Sequence, residues 1–121
     1  MHAYRTLWIS GLILLTAFAT GCTIKGDPKK AWTMINGGAL LVDARTADEY
    51  AAGHLDGAIH IPVDEVKQRI AEFGKDKNRA IVVYCKRGIR SGRAADMLIE
   101  HGYTNIHNGG GYSSLVSSKQ Q

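Results

Sequence analysis

Cys85 stands where an apolar run ends and a basic, glycine-containing stretch begins, in Ala80-Ile81-Val82-Val83-Tyr84-Cys85-Lys86-Arg87-Gly88-Ile89-Arg90-Ser91-Gly92-Arg93. A cysteine at the end of a buried strand, followed by a short loop that leads into a helix, is placed for nucleophilic chemistry. The loop's backbone N–H groups and the helix N-terminus converge on an anion site, and Gly88 supplies the backbone freedom of such a turn. Basic neighbours and a helix N-terminus lower a thiol pKa from about 8.5 to roughly 3.5 to 7.5, so the group is a thiolate at neutral pH. A persulfide, itself an anion, suits the same cradle. The competing reading is a structural cysteine, because free cysteines commonly pack as small hydrophobes. Lys86, Arg87, Arg90 and Arg93 argue against it, since a purely structural core position has no use for so much positive charge.

The elements that position this loop are legible as alternating strand and helix patterns. Leu40-Leu41-Val42 is a short apolar run ending at Asp43, and Ala58-Ile59-His60-Ile61 and Ala80 to Tyr84 are two more, with a weaker one at Thr104-Asn105-Ile106. Thr46-Ala47-Asp48-Glu49 has capping-box spacing and opens a short helix that Gly53 closes. Val63, Val66, Ile70 and Phe73 predict one face of a second helix ending at Gly74. Ala94, Ala95, Leu98 and Ile99 predict the apolar side of a third, with Gly102 as its stop. Gly109-Gly110-Gly111-Tyr112 reads as a turn entering a last short helix. Strands separated by helices imply an α/β fold, a parallel sheet with helices on both faces. In such sheets ligands bind beyond the carboxyl ends of the strands, which is where Cys85 falls.

The chain has 121 residues, enough for one compact domain. At 45% hydrophobic and 21% charged residues, with only 2 Pro, it excludes disordered, collagenous and low-complexity classes. Two cysteines, Cys22 and Cys85, cannot build a disulfide framework or a four-cysteine zinc site. His101 and His107 have no second ligand at metal-binding spacing, so neither a metal nor a cofactor is expected. The net charge of +4 is modest, and its crowding between Lys86 and Arg93 points to a small anionic substrate rather than nucleic acid. Asp48, Glu49, Glu65 and Glu72 read as solvated helix faces.

The first residues differ from the rest. Met1 to Thr6 holds one Arg and no acid, and Leu7 to Thr20 is apolar. These are the parts of a secretory signal peptide, and the stretch is short for a membrane span of about 20 residues, although a retained signal anchor stays open. Two exits also stay open. Ala17-Phe18-Ala19 fits ordinary small-residue cleavage, whereas Ala19-Thr20-Gly21-Cys22 resembles the bacterial lipobox, with Ala19 where Leu is preferred. Lipidation at Cys22 is the favoured reading, because a thioether there cannot form a disulfide with Cys85 in an oxidising compartment. The resulting expectation is a signal peptide at 1–21, a tether at 22–30, a domain at 31–116 and a polar tail at 117–121. The protein would be exported to the periplasm and lipid-anchored, and Thr23 in place of Asp points to the outer membrane under enteric-type sorting.

Cys85-x-x-Gly88-x-Arg90-Ser91, preceded by Asp43-Ala44-Arg45, Glu49-Tyr50 and Gly53-His54-Leu55-Asp56-Gly57-Ala58-Ile59-His60-Ile61-Pro62, resembles the single-domain rhodaneses over Leu40 to Leu115. The short N-terminus and exported context are most similar to the phage shock protein E type. The resemblance implies a thiosulfate sulfurtransferase acting through a Cys85 persulfide, with cyanide or a thiol as acceptor, as a monomer. It implies an active-site loop from Cys85 through Lys86, Arg87, Gly88 and Ile89 to Arg90, with Ser91 next. Lys86, Arg87 and Arg90 would attract the dianion, and Asp43 and Arg45 would brace the loop. His54 is expected to serve a structural hydrogen bond, since a thiolate needs no strong base. The strand and helix that precede the Asp-x-Arg motif in larger rhodaneses are reduced to Ala31 to Asn36, so the sheet is expected to lose an edge strand. Phosphatases and arsenate reductases on the related fold carry arginine six positions after the cysteine, to fork two phosphate oxygens. Here that position is Ser91, which disfavours them. A non-catalytic rhodanese-like binding module is a third reading, disfavoured by Cys85 itself, and a dithiol oxidoreductase lacks its Cys-x-x-Cys.

Overall fold

The computed structural model describes residues 26–119. The signal segment and the Cys22 exit site lie outside the described residues.

In chain order the elements are α1 (Pro28–Asn36), β1 (Leu40–Asp43), α2 (Ala47–Ala52), β2 (Ile59–His60), two 3₁₀ turns (Val63–Glu65 and Ile70–Phe73), β3 (Ile81–Cys85), α3 (Ile89–Glu100), β4 (Ile106–Gly111) and α4 (Tyr112–Ser118). The strands form one parallel sheet in the order β2-β1-β3-β4. All five residues of β3 are buried, as a strand with neighbours on both edges and layers on both faces requires. Its side chains alternate between two cores. Ile81 and Val83, with Val42, pack beneath Ala94 and Leu98 of α3 and against Val63, Val66 and Phe73. Val82 and Tyr84, with Leu41, pack on the other face against Ala31 of α1 and Leu115 of α4. Trp32 Nε1 donates to the Leu115 carbonyl at 2.9 Å, tying the helices of that layer together.

Several expectations are corrected. The residues from Val63 to Phe73 are not one α-helix but two 3₁₀ turns, with Glu65 N–H bonded to Pro62 O and Glu72 N–H to Arg69 O. Val63, Val66 and Phe73 are all buried in one core, and the tighter i→i+3 winding suits a segment broken at Arg69. Ile99 is 58% exposed and is not part of the helix's buried side, which consists of Ser91, Ala94, Ala95 and Leu98. The first element begins at Pro28 with Asp27 as its N-cap, so Lys29 and Lys30 are helical rather than tether. At the other end, Ser117 and Ser118 belong to α4 and not to a polar tail. No strand precedes β1 among the described residues, and α1 packs on the face of the sheet that holds Val82 and Tyr84.

The glycine run also differs from the expected turn, because Gly109, Gly110 and Gly111 complete β4. Val83 lies opposite Asn108 and Tyr84 opposite Gly110, so Gly109 is an extra residue in the strand, a bulge that re-aims what precedes it. A Cβ on Gly111 would stand 2.6 Å from the Lys86 carbonyl oxygen. Only a glycine lets β4 approach the loop after Cys85 this closely.

Candidate active site

Cys85 ends β3, and the chain turns through Lys86, Arg87 and Gly88 into α3. Gly88 is the N-cap of α3 at φ +93°, the left-handed region that the turn demands and a side chain would strain. The turn brings donors onto the sulfur. Gly88 N–H donates to Cys85 Sγ at 3.0 Å, and the buried Ser91 hydroxyl lies 3.3 Å from it. Burial pushes the Cys85 thiol pKa up. The Ser91 hydroxyl and the backbone N–H groups of Ser91, Arg87 and Gly88 outweigh that, leaving it below the ordinary thiol value. Cys85 opens into a cavity of about 310 Å³ lined also by Lys86, Arg87, Ile89 and Arg90. Lys86 and Arg87 are exposed at its mouth, and neither pairs with a carboxylate among the described residues. Ile89, 58% exposed, adds an apolar wall.

Arg90 is differently engaged. Its Nη1 and Nη2 bind Glu49 Oε1 and Oε2 at 2.6 and 3.1 Å, tying the first turn of α3 to the first turn of α2. Glu49 meanwhile completes the capping box, its Oε1 accepting from Thr46 N–H at 3.0 Å while Thr46 Oγ1 accepts from Glu49 N–H at 3.2 Å. The Arg90 guanidinium, followed by the Thr46 N–H, holds the Glu49 carboxyl down to about 2. Glu49, read from sequence as a solvated helix face, is therefore part of the frame around the loop. The capping-box spacing revealed one of its two tasks, but nothing local marks a partner 41 residues away.

Asp43 and Arg45 lie behind the cysteine rather than on its loop. Asp43 is fully buried at the end of β1, and Arg45 binds it through Nη2 at 2.7 Å and Nε at 3.0 Å. Arg45 Nη2 also donates to the Gly53 carbonyl at 2.6 Å, and its guanidinium lies 4.4 Å from the Tyr112 ring centroid and 5.6 Å from that of Tyr84. The pair thus joins β1, the end of α2, β3 and α4. Its side-chain hydrogen bonds among the described residues reach that frame and not the loop residues after Cys85. His54 Nδ1 meets the Tyr50 carbonyl at 2.8 Å and its ring stacks on Tyr50, a structural position. His101 meets the Met97 carbonyl and His107 the Asp27 carbonyl. Among the described residues no group of three or more His, Cys, Asp or Glu side chains could hold a metal ion.

Asn108, which the sequence reading passed over, is brought to the site by β4. Its Oδ1 lies 2.7 Å from Ser91 Oγ and accepts from Gly110 N–H at 3.0 Å, and its Nδ2 donates to the Gly88 carbonyl at 2.9 Å. It lies two residues past the weaker strand signal at Thr104-Asn105-Ile106 and one residue before the bulge, where no spacing rule connects it to Cys85.

The site is thus a cysteine at the carboxyl end of a parallel strand, held by backbone donors in a loop that leads straight into a helix. The profile of the rhodanese-like domain family matches residues 27–117. The chain belongs to this family. Its rhodanese relatives include the thiosulfate sulfurtransferase PspE of Escherichia coli, 44% identical over 78 residues that make up 64% of this chain and 75% of that protein. The thiosulfate sulfurtransferase GlpE of Haemophilus influenzae is 36% identical over 81 residues, 65% of this chain and 73% of that one. Among solved structures, a rhodanese with anions from E. coli shares 44% identity at a TM-score of 0.59, covering 62% of this chain and 88% of that one. The human single-domain sulfurtransferase TSTD1 aligns at a TM-score of 0.66 and 27% identity, covering 81% of this chain and 98% of that one.

Proposed function

We propose that this rhodanese is a thiosulfate sulfurtransferase working by double displacement through Cys85. The Cys85 thiolate attacks the outer sulfur of thiosulfate, the S–S bond of the donor breaks, and its electron pair leaves on sulfite. The product is a Cys85 persulfide with its charge on the outer sulfur. Cyanide or a thiolate acceptor then attacks that sulfur, and the pair of the enzyme's S–S bond returns to Cys85 as thiolate. No net oxidation occurs and no proton must be removed by a base. The observation that carries this reading is the set of N–H and hydroxyl donors on Cys85 Sγ, which holds a sulfur anion at the floor of a basic-rimmed cavity. The phosphatase reading loses ground on the same geometry. Arg90 is bound by Glu49, and the position six after the cysteine is a buried serine turned onto the sulfur. Initial rates at varied thiosulfate and cyanide test the proposal. Parallel double-reciprocal lines support it, and lines that converge on a ternary complex contradict it.

From the N-terminal sequence we further propose that the protein acts outside the cytoplasm. Residues 1–21 act as an export signal, and Cys22 carries a lipid that holds a monomeric domain at a periplasmic membrane surface, where acyl chains contribute about 0.8 kcal/mol per buried methylene. The Ala19-Thr20-Gly21-Cys22 run supports this. Membrane sedimentation of the wild type with release of Cys22→Ser is the expected result. A soluble, unlipidated wild type starting at Thr20 overturns it.

A further inference from the structure

The Asn108 side chain has a fixed orientation. The Gly88 carbonyl can only accept and the Gly110 N–H can only donate, so Nδ2 must face the first and Oδ1 the second. Ser91 Oγ therefore meets an acceptor on each side, Asn108 Oδ1 at 2.7 Å and Cys85 Sγ at 3.3 Å, and it has one proton to give. We propose that Asn108 is a positioning residue that makes the Ser91 hydroxyl a toggle, turned to Sγ when charge resides there and to Asn108 when it does not.

The proposal rests on the sulfurtransferase reading and adds a motion to each half of its cycle. In the free thiolate, Ser91 donates to Sγ and Asn108 Oδ1 keeps Gly110 N–H. When the outer sulfur is taken up, the negative charge moves onto it and Sγ becomes a neutral bridging atom, a poor acceptor. The Ser91 O–H then rotates back to Asn108. As the acceptor removes the outer sulfur, charge returns to Sγ and Ser91 turns to meet it. The proton stays on Ser91 Oγ throughout, so no acid or base is consumed. Sγ thereby gains the Ser91 donor, beyond the fixed Gly88 N–H, while it is a nucleophile or a leaving group, and gives it up when it is neutral.

This arrangement makes an uncommon demand on sign. Ser91 favours the thiolate, whereas Asn108, by offering the hydroxyl a competing partner, favours the neutral sulfur. Gly88 does not reverse that, because its carbonyl also accepts the Gly92 N–H at 3.0 Å and so stays anchored to the helix without Asn108.

The test is the pH dependence of iodoacetamide alkylation at the Cys85 peptide of the full chain, resolved from Cys22 by mass spectrometry. It reads the thiol alone, so it stands or falls separately from sulfur transfer. Ser91→Ala is expected to raise the Cys85 pKa. Asn108→Leu, similar in shape but without an acceptor, is expected to lower it by about 0.5 to 1, the value of one neutral hydrogen bond. In a Ser91→Ala background Asn108→Leu should change nothing. Asn108→Ala serves the same test should the leucine fail to fold. An unchanged or raised pKa on loss of Asn108, or a fall that persists without Ser91, overturns the toggle.

Discussion

Arg90 and Glu49 form a two-bonded ion pair that spans from α3 to α2, with distances of 2.6 and 3.1 Å. The arginine of the cysteine loop is thus tied to α2 as a strut, and in the proposed mechanism Lys86 and Arg87 are the loop charges left to meet an incoming dianion.

Removing the strut should act on turnover and on stability. Arg90→Ala is expected to lower kcat for thiosulfate, and Glu49→Gln should follow it in direction, because both release the first turn of α3. The pair is partly exposed, so the stability cost should be about 1 kcal/mol or less, measured by urea denaturation. The Glu49 carboxyl is held at about 2, well below its unfolded value near 4.5. Its contribution is therefore complete above about pH 4.5 and is lost as pH falls through about 2, and Glu49→Gln should show a flatter stability profile across that interval.

Lys86 and Arg87 should work through encounter. Replacing both with Ala is expected to raise the KM for thiosulfate and flatten its salt dependence while leaving kcat nearly unchanged, since exposed charges are screened over about 8 Å at 0.15 M salt. A wild-type KM and salt slope in the double variant would show that the basic mouth does not gather thiosulfate, and would favour a larger anionic donor.

Asp43→Asn should be the most destabilising of the frame variants. It leaves Arg45, only 5% exposed, with its charge uncompensated, and breaking such a buried pair costs about 3 to 5 kcal/mol. Urea denaturation of the folded variant checks this, and a loss below about 1 kcal/mol would mean that Gly53 and the two tyrosines suffice to hold the guanidinium.

Gly111→Ala should damage the loop from β4. The new methyl would meet the Lys86 carbonyl oxygen at 2.6 Å, and backbone on both sides has little room to yield. A loss of about 1 to 3 kcal/mol is expected, together with slower alkylation of Cys85 as the loop shifts. Unchanged stability and alkylation would show that the loop accommodates the methyl.

What was legible beforehand follows from how local each signal is. The Cys85 loop, its strand and its helix are contiguous in sequence, and the strand-to-helix change marks where the sulfur sits. Thr46 and Glu49 are three residues apart, so their mutual capping could be read directly. Asn108 and the Glu49–Arg90 pair could not, because each depends on strands and helices meeting in space. The 3₁₀ winding at Val63 to Phe73 escaped for another reason. Apolar residues three and four apart fit an α-helix and a pair of tighter turns equally, and the choice was made by what those side chains bury against. The glycines of β4 were misread as a turn because their use is close approach to another backbone, as with Gly111 and Lys86.

In the proposed mechanism Cys85 carries the transferred sulfur. Purified protein mixed with thiosulfate and digested without reductant should show the mass of one extra sulfur atom on the Cys85 peptide. The adduct should disappear on adding cyanide, with thiocyanate released, and be absent in Cys85→Ser. A folded wild-type protein that turns over thiosulfate while its Cys85 peptide stays unmodified would rule out a Cys85 persulfide.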